Sequence, residues 1–78
     1  MNRVETLEWI EIVLDALDKQ EMLAIIRESL DDFGGQFFEV LEQETERYKI
    51  EGEVAKGEQL LEIGRVIASI RQNRSEGL

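Results

Sequence analysis

Apolar residues recur at helical spacing along nearly the whole chain, but the stripe they draw jumps to the opposite side near Asp18, and no proline marks the jump. At 100° per residue, Leu7, Trp9, Ile10, Val13, Leu14 and Leu17 share one face, opposite Glu5, Glu8, Glu11, Asp15 and Asp18. Continued without a break, the same helix would place Met22, Leu23, Ile26, Leu30 and Phe33 on the acidic side. A straight helix would expose one of these two stripes, so the chain must turn. Asp18-Lys19-Gln20-Glu21 reads as a capping box with an acidic N-cap, which predicts helices over 3–17 and 19–32.

Gly34-Gly35 is the strongest stop signal, because glycine takes the left-handed C′ conformation at the smallest steric cost. A third helix is expected from Gln36, with Phe37, Phe38, Val40, Leu41 and Tyr48 on its apolar side. Gly52 and Gly57 then interrupt the pattern, and the stripe shifts by roughly a quarter turn across them, which favours a break or kink over one rod from 36 to 72. A fourth helix is expected over 55–72, presenting Leu60, Ile63, Val66, Ile67 and Ile70. The reading is an all-α domain over 1–72, a small bundle of four short helices in two helical hairpins, with 73–78 as a flexible tail. Its expected core is Leu7, Ile10, Leu14, Leu17, Leu23, Ile26, Leu30, Phe37, Leu41, Leu60, Ile63, Ile67 and Ile70.

A chain of 78 residues buries one modest core, worth roughly 3 to 5 kcal/mol without disulfide or metal staples. Completion of the bundle by a homodimer is therefore part of the expectation. There is no histidine and no cysteine, so the groups most used for neutral-pH proton transfer, nucleophilic attack and transition-metal ligation are missing. The net charge of −9 repels phosphate backbones and argues against nucleic acid as a partner, while favouring basic protein surfaces. Most of that charge lies in residues 1–39, which hold ten acids and three bases. With no long apolar run and no signal-like N-terminus, no membrane association and a cytoplasmic location are expected.

The helix-one acids Glu5, Glu8, Glu11 and Asp15 point away from the apolar stripe, which suits a solvated face or a docking surface. A divalent-metal cluster, as in all-helical pyrophosphatases, would need them to face a shared cleft from several helices. No metal, cofactor or catalytic residue is assigned. Glu44 falls on the apolar side of the third helix, where a carboxylate is costly unless Tyr48, an arginine such as Arg47, or a partner meets it. On the fourth helix, Gly57, Leu61, Gly64 and Ala68 form a second, mostly small-residue stripe that would let another helix come close, from this chain or from a second one. Trp9, Phe37 and Phe38 suit either a core or an interface.

The segment Asp32-Phe33-Gly34-Gly35-Gln36-Phe37-Phe38 resembles the loop and helix start of acyl and peptidyl carrier proteins, which are small acidic four-helix domains. In that motif the residue matching Phe37 is the serine that carries phosphopantetheine, so the resemblance implies at most a carrier-like fold without cargo. Residues 19–32 read as a regular helix where carriers have a long loop, and the resemblance is not adopted. The function expected is a non-catalytic protein-interaction module: an adaptor, regulator or assembly subunit offering an acidic face and an apolar helix. The alternatives are a carboxylate-based metal-dependent hydrolase subunit, the carrier-like fold, and an acidic mimic of DNA that blocks a basic cleft.

Overall fold

The Asn2 side chain accepts the Glu5 N–H at 2.8 Å while the Glu5 carboxylate accepts the Asn2 N–H at 3.1 Å. This reciprocal capping box starts α1 (Arg3–Leu14). The computed structural model describes residues 1–76, and the side chains of 1–73. After α1 come α2 (Lys19–Glu28), a 3₁₀ turn (Leu30–Asp32), α3 (Gly35–Ile50) and α4 (Val54–Glu76), with no strand among the described residues.

The jump of the apolar stripe is realised as a break, placed earlier than expected. Helix α1 stops at Leu14 with Asp15 as C-cap, so Leu17 belongs to the connection and is 89% exposed instead of joining the core. Asp18 is the N-cap of α2 and accepts the Glu21 N–H at 2.9 Å. The Glu21 carboxylate accepts the Leu17 N–H at 3.3 Å, one residue before the position a capping box uses.

Helix α2 also ends short of the expected residue 32. Ser29 caps it, and its hydroxyl accepts the Trp9 indole N–H at 3.1 Å, which fixes the α2–α3 link onto α1. Phe33 then turns inward, edge-on to Trp9 and stacked on Phe37 with ring centroids 4.2 Å apart. Gly34 serves as the extended N-cap of α3, at φ −120°, and not as a left-handed stop. The left-handed glycine is Gly52, at φ 86°. Its N–H donates to the Lys49 carbonyl and the Glu53 N–H to the Tyr48 carbonyl, the paired bonds of a Schellman motif closing α3.

Helices α3 and α4 are separate and antiparallel, since Gly57 lies beside Thr45 and Lys49 while Gly64 lies beside Leu41. A Cβ at Gly57 would stand 2.9 Å from Lys49 Cγ and 3.1 Å from the Thr45 carbonyl oxygen, so glycine allows the helices to close on each other. Helix α1 lies against both members of this hairpin, burying Trp9, Ile10 and Val13 against Phe37, Ile63 and Ile67 in one core, and α2 adds Met22 and Ile26. Arg3 ties α1 to α3 by donating to Gln43 Oε1 at 3.1 Å. Helix α4 continues through Glu76, four residues past the expected end at 72, and no proline or glycine stands between Gly64 and Gly77 to stop it. Gly77 and Leu78 of the expected tail lie outside the described residues.

The product is an all-α helical bundle with extents of 42 × 26 × 18 Å. Its short dimension follows from the layering: among the described residues, one side of the α3–α4 hairpin is covered by α1 and the other is not.

Candidate functional site

Helix α1 buries Thr6, Trp9, Ile10 and Val13, and the geometry of a 3.6-residue repeat turns Glu8, Glu11 and Asp15 to the outside, where all three are exposed. Glu5 is exposed as well, but its carboxylate is engaged by the Asn2 N–H. Asp18 is likewise occupied in capping α2. Among the described residues no group of three acids converges in a way that could hold a metal ion. The acids are therefore a surface, and its composition is mixed. Val4, 63% exposed, and Ile12, 58% exposed, lie one helical turn either side of Glu8. Sequence reasoning passed over both because it sorted α1 into two faces. The signal was available: neither position fits the stripe that contains Trp9 and Val13.

Glu44 is buried, and of the three partners considered for it the structure provides Arg47. The guanidinium donates from Nε and Nη2 to the two carboxylate oxygens, each at 2.9 Å, and from Nη1 to both oxygens of Glu51 at 3.2 and 3.0 Å. The same guanidinium lies over the Tyr48 ring, 4.6 Å from its centroid. The hydrogen bonding that Arg47 donates to Glu44 is the largest influence on its guanidinium and raises its pKa above the ordinary arginine value, so the cation is permanent. Glu44 is thus neutralised within its own helix.

The uncovered side of the hairpin carries a groove of roughly 350 Å³ between α3 and α4. Phe38, Leu41, Leu60, Leu61 and Gly64 give it an apolar floor, and Glu42, Arg65 and Ala68 form its edges. Arg71 extends the edge by stacking on Phe38, 5.4 Å from the ring centroid. Of the stripe read on the fourth helix, Gly57 is buried against α3, Gly64 is half-buried with Leu41 3.5 Å from where its Cβ would be, and Leu61 and Ala68 face outward. Trp9 and Phe37 are core, while Phe38 is half-buried and reaches the groove.

The fold is that of a small all-α helical bundle. Comparison with protein-family models, with curated proteins and with solved structures finds no match to it. At the position of the carrier-protein serine, Phe37 is 0% exposed. Among the described residues no helix is long and apolar enough to cross a membrane.

Proposed function

We propose that this chain is a non-catalytic protein-interaction module whose acidic α1 face receives a basic surface of a protein partner. One observation carries the reading: Val4 and Ile12 stand exposed among Glu8, Glu11 and Asp15, on the side of α1 turned away from the core among the described residues. Carboxylates give long-range attraction and orientation, while the aliphatic groups between them add area that gains by leaving water. A cytoplasmic adaptor, regulator or assembly subunit would use such a face, and a homodimer is compatible with it because the α3–α4 groove lies elsewhere.

The lack of histidine and cysteine supports a binding role over a catalytic one, as does the engagement of Glu44 by Arg47. The test compares the wild-type chain with a Glu8→Gln, Glu11→Gln, Ile12→Ser variant, both immobilised, in extracts at about 0.15 M salt and at about 0.5 M. Proteins held by the wild type, released by the variant and weakened by salt support the reading. Equal retention by both chains removes it.

A further inference from the structure

We propose that the α3–α4 groove receives an amphipathic helix of a partner protein, with basic residues on the flank that meets α3 and acidic residues on the flank that meets α4. This goes beyond the acidic-face reading, because α1 covers the side of the hairpin away from the groove.

The floor sets the shape of the occupant. Phe38, Leu41, Leu60, Leu61, Gly64 and Ala68 line it. Gly64 and Ala68 stand one turn apart on α4 with little or no side chain, so the axis of a third helix can come close there. Leu60 to Ala68 spans about 12 Å of helix, a length that two to three turns of an occupant cover.

The walls set its charge. On α3, Glu42 borders the groove, and Glu39 and Glu46 stand beside it, all three exposed and within about 60° of arc. Like charges at this spacing repel each other, and no basic side chain pairs with any of the three among the described residues. On the opposite wall the sign reverses. Arg65 borders the groove beside Leu61, and Arg71 stands at its end with the guanidinium over Phe38. Neither arginine has an ion pair among the described residues, although the chain holds twice as many acids as bases.

A uniformly basic helix would gain at Glu42 and be repelled at Arg65 and Arg71; a uniformly acidic one would meet the reverse. Unlike flanks satisfy both walls. Turning such a helix end for end exchanges its flanks, so the same pattern fixes the direction in which it lies. The acids of α1 bear on the groove only weakly, since the molecule is 18 Å deep and charges are screened over about 8 Å at 0.15 M salt.

The probes are three stapled helical peptides of about 15 residues that share one leucine-and-alanine stripe. One carries lysine on one flank and glutamate on the other, the second lysine on both, and the third glutamate on both. Each is titrated into the isotope-labelled chain at about 0.15 M salt, with the amide signals of Leu61, Gly64, Arg65 and Ala68 reporting the groove. The mixed peptide should shift these signals and bind at least about tenfold tighter than either uniform one. Arg65→Glu makes both walls acidic and should turn the order round, favouring the lysine-flanked peptide by a similar factor. Arg65 is exposed, so its reversal leaves the core intact.

A lysine-flanked peptide that binds the wild-type groove as tightly as the mixed one, an unchanged order in Arg65→Glu, or unmoved groove signals at about 1 mM peptide overturns the proposal. Groove signals that move with protein concentration alone, as the solution mass doubles, give the groove to a second copy and overturn it too. The Glu8→Gln, Glu11→Gln, Ile12→Ser variant should bind the mixed peptide as the wild type does; loss of binding there would put the peptide on α1 and refute the groove. Failure of that variant to release proteins from extracts refutes the acidic-face reading alone, because it alters nothing at the groove.

Discussion

Arg47 grips Glu44 through two parallel N–H···O bonds of 2.9 Å and at the same time reaches Glu51 one turn further along α3. A buried carboxylate is thereby held by a neighbour three residues away on its own helix. Replacing Arg47 by alanine leaves Glu44 buried and unpaired, and by lysine removes the fork geometry that meets both oxygens. Both variants should lower the thermal midpoint, alanine more than lysine, in a circular dichroism melt. Lys56→Ala, which removes an exposed pairing with Glu53, should change it little.

The pH dependence of this clasp follows from the direction of the Arg47 shift. A raised folded-state pKa contributes stability that is complete below the unfolded arginine value and is lost only as the pH rises through the still higher folded value. Both lie above the range in which the protein would be handled. The difference in melting temperature between the wild type and Arg47→Ala should therefore be the same at about pH 6.5 and about pH 8.5.

Gly57 and Gly64 should respond oppositely to alanine. At Gly64 the added methyl meets Leu41 Cδ2 at 3.5 Å, an ordinary contact, so the helix-propensity gain of about 0.5 to 1 kcal/mol should be realised. At Gly57 the methyl meets the Thr45 carbonyl at 3.1 Å and Lys49 Cγ at 2.9 Å. The lysine stem can move, but the carbonyl can yield only if α3 and α4 separate. Overpacking of this kind costs roughly 1 to 3 kcal/mol, which exceeds the propensity gain and predicts a net loss of about 1 kcal/mol in urea unfolding.

The turn glycines give a second contrast. Gly52→Ala forces a Cβ into the left-handed region at φ 86° and should destabilise by roughly 1 to 2 kcal/mol. Gly34 is an extended N-cap with open space around it and no side chain to hold the first turn of α3. Gly34→Ser should stabilise by a few tenths of a kcal/mol, again by urea unfolding.

Phe37→Ser, which would supply the carrier-type serine, should unfold the domain and not create an attachment site. It removes an aromatic ring from the centre of the core, where loss of a phenylalanine costs about 3 to 5 kcal/mol, comparable to the whole stability expected at this size. Loss of the helical far-ultraviolet signal at room temperature is the expected outcome.

How much of this was legible in the residues depends on what each signal measures. The four helices and the α3–α4 break follow from the phase of the apolar stripe and from glycine spacing, both local properties. The end of α1 does not, because Leu17 continues the stripe as well as Leu14 does; only packing decides that the chain leaves the helix at Asp15. Glycine identity marked Gly34, Gly35 and Gly52 alike, but it carries no information on which of them takes a positive φ. Glu44 was identifiable as an acid needing a partner, and the three-residue spacing to Arg47 made that partner available on the same helix surface. The groove was half-legible: Leu61, Gly64 and Ala68 marked the α4 side, whereas Phe38 and Leu41 join it from α3 only through tertiary packing.

Trp9 is the single indole of the chain, and its surroundings come from three separate stretches: Ser29 after α2, Phe33 in the link, and Phe37 on α3. Its fluorescence therefore reports whether those stretches have come together on α1, while the amide signal reports helices whether or not they are docked. A mismatch between the two as the chain is heated or diluted would expose a partly assembled state, and their coincidence would mark a single cooperative transition, all without attaching a dye.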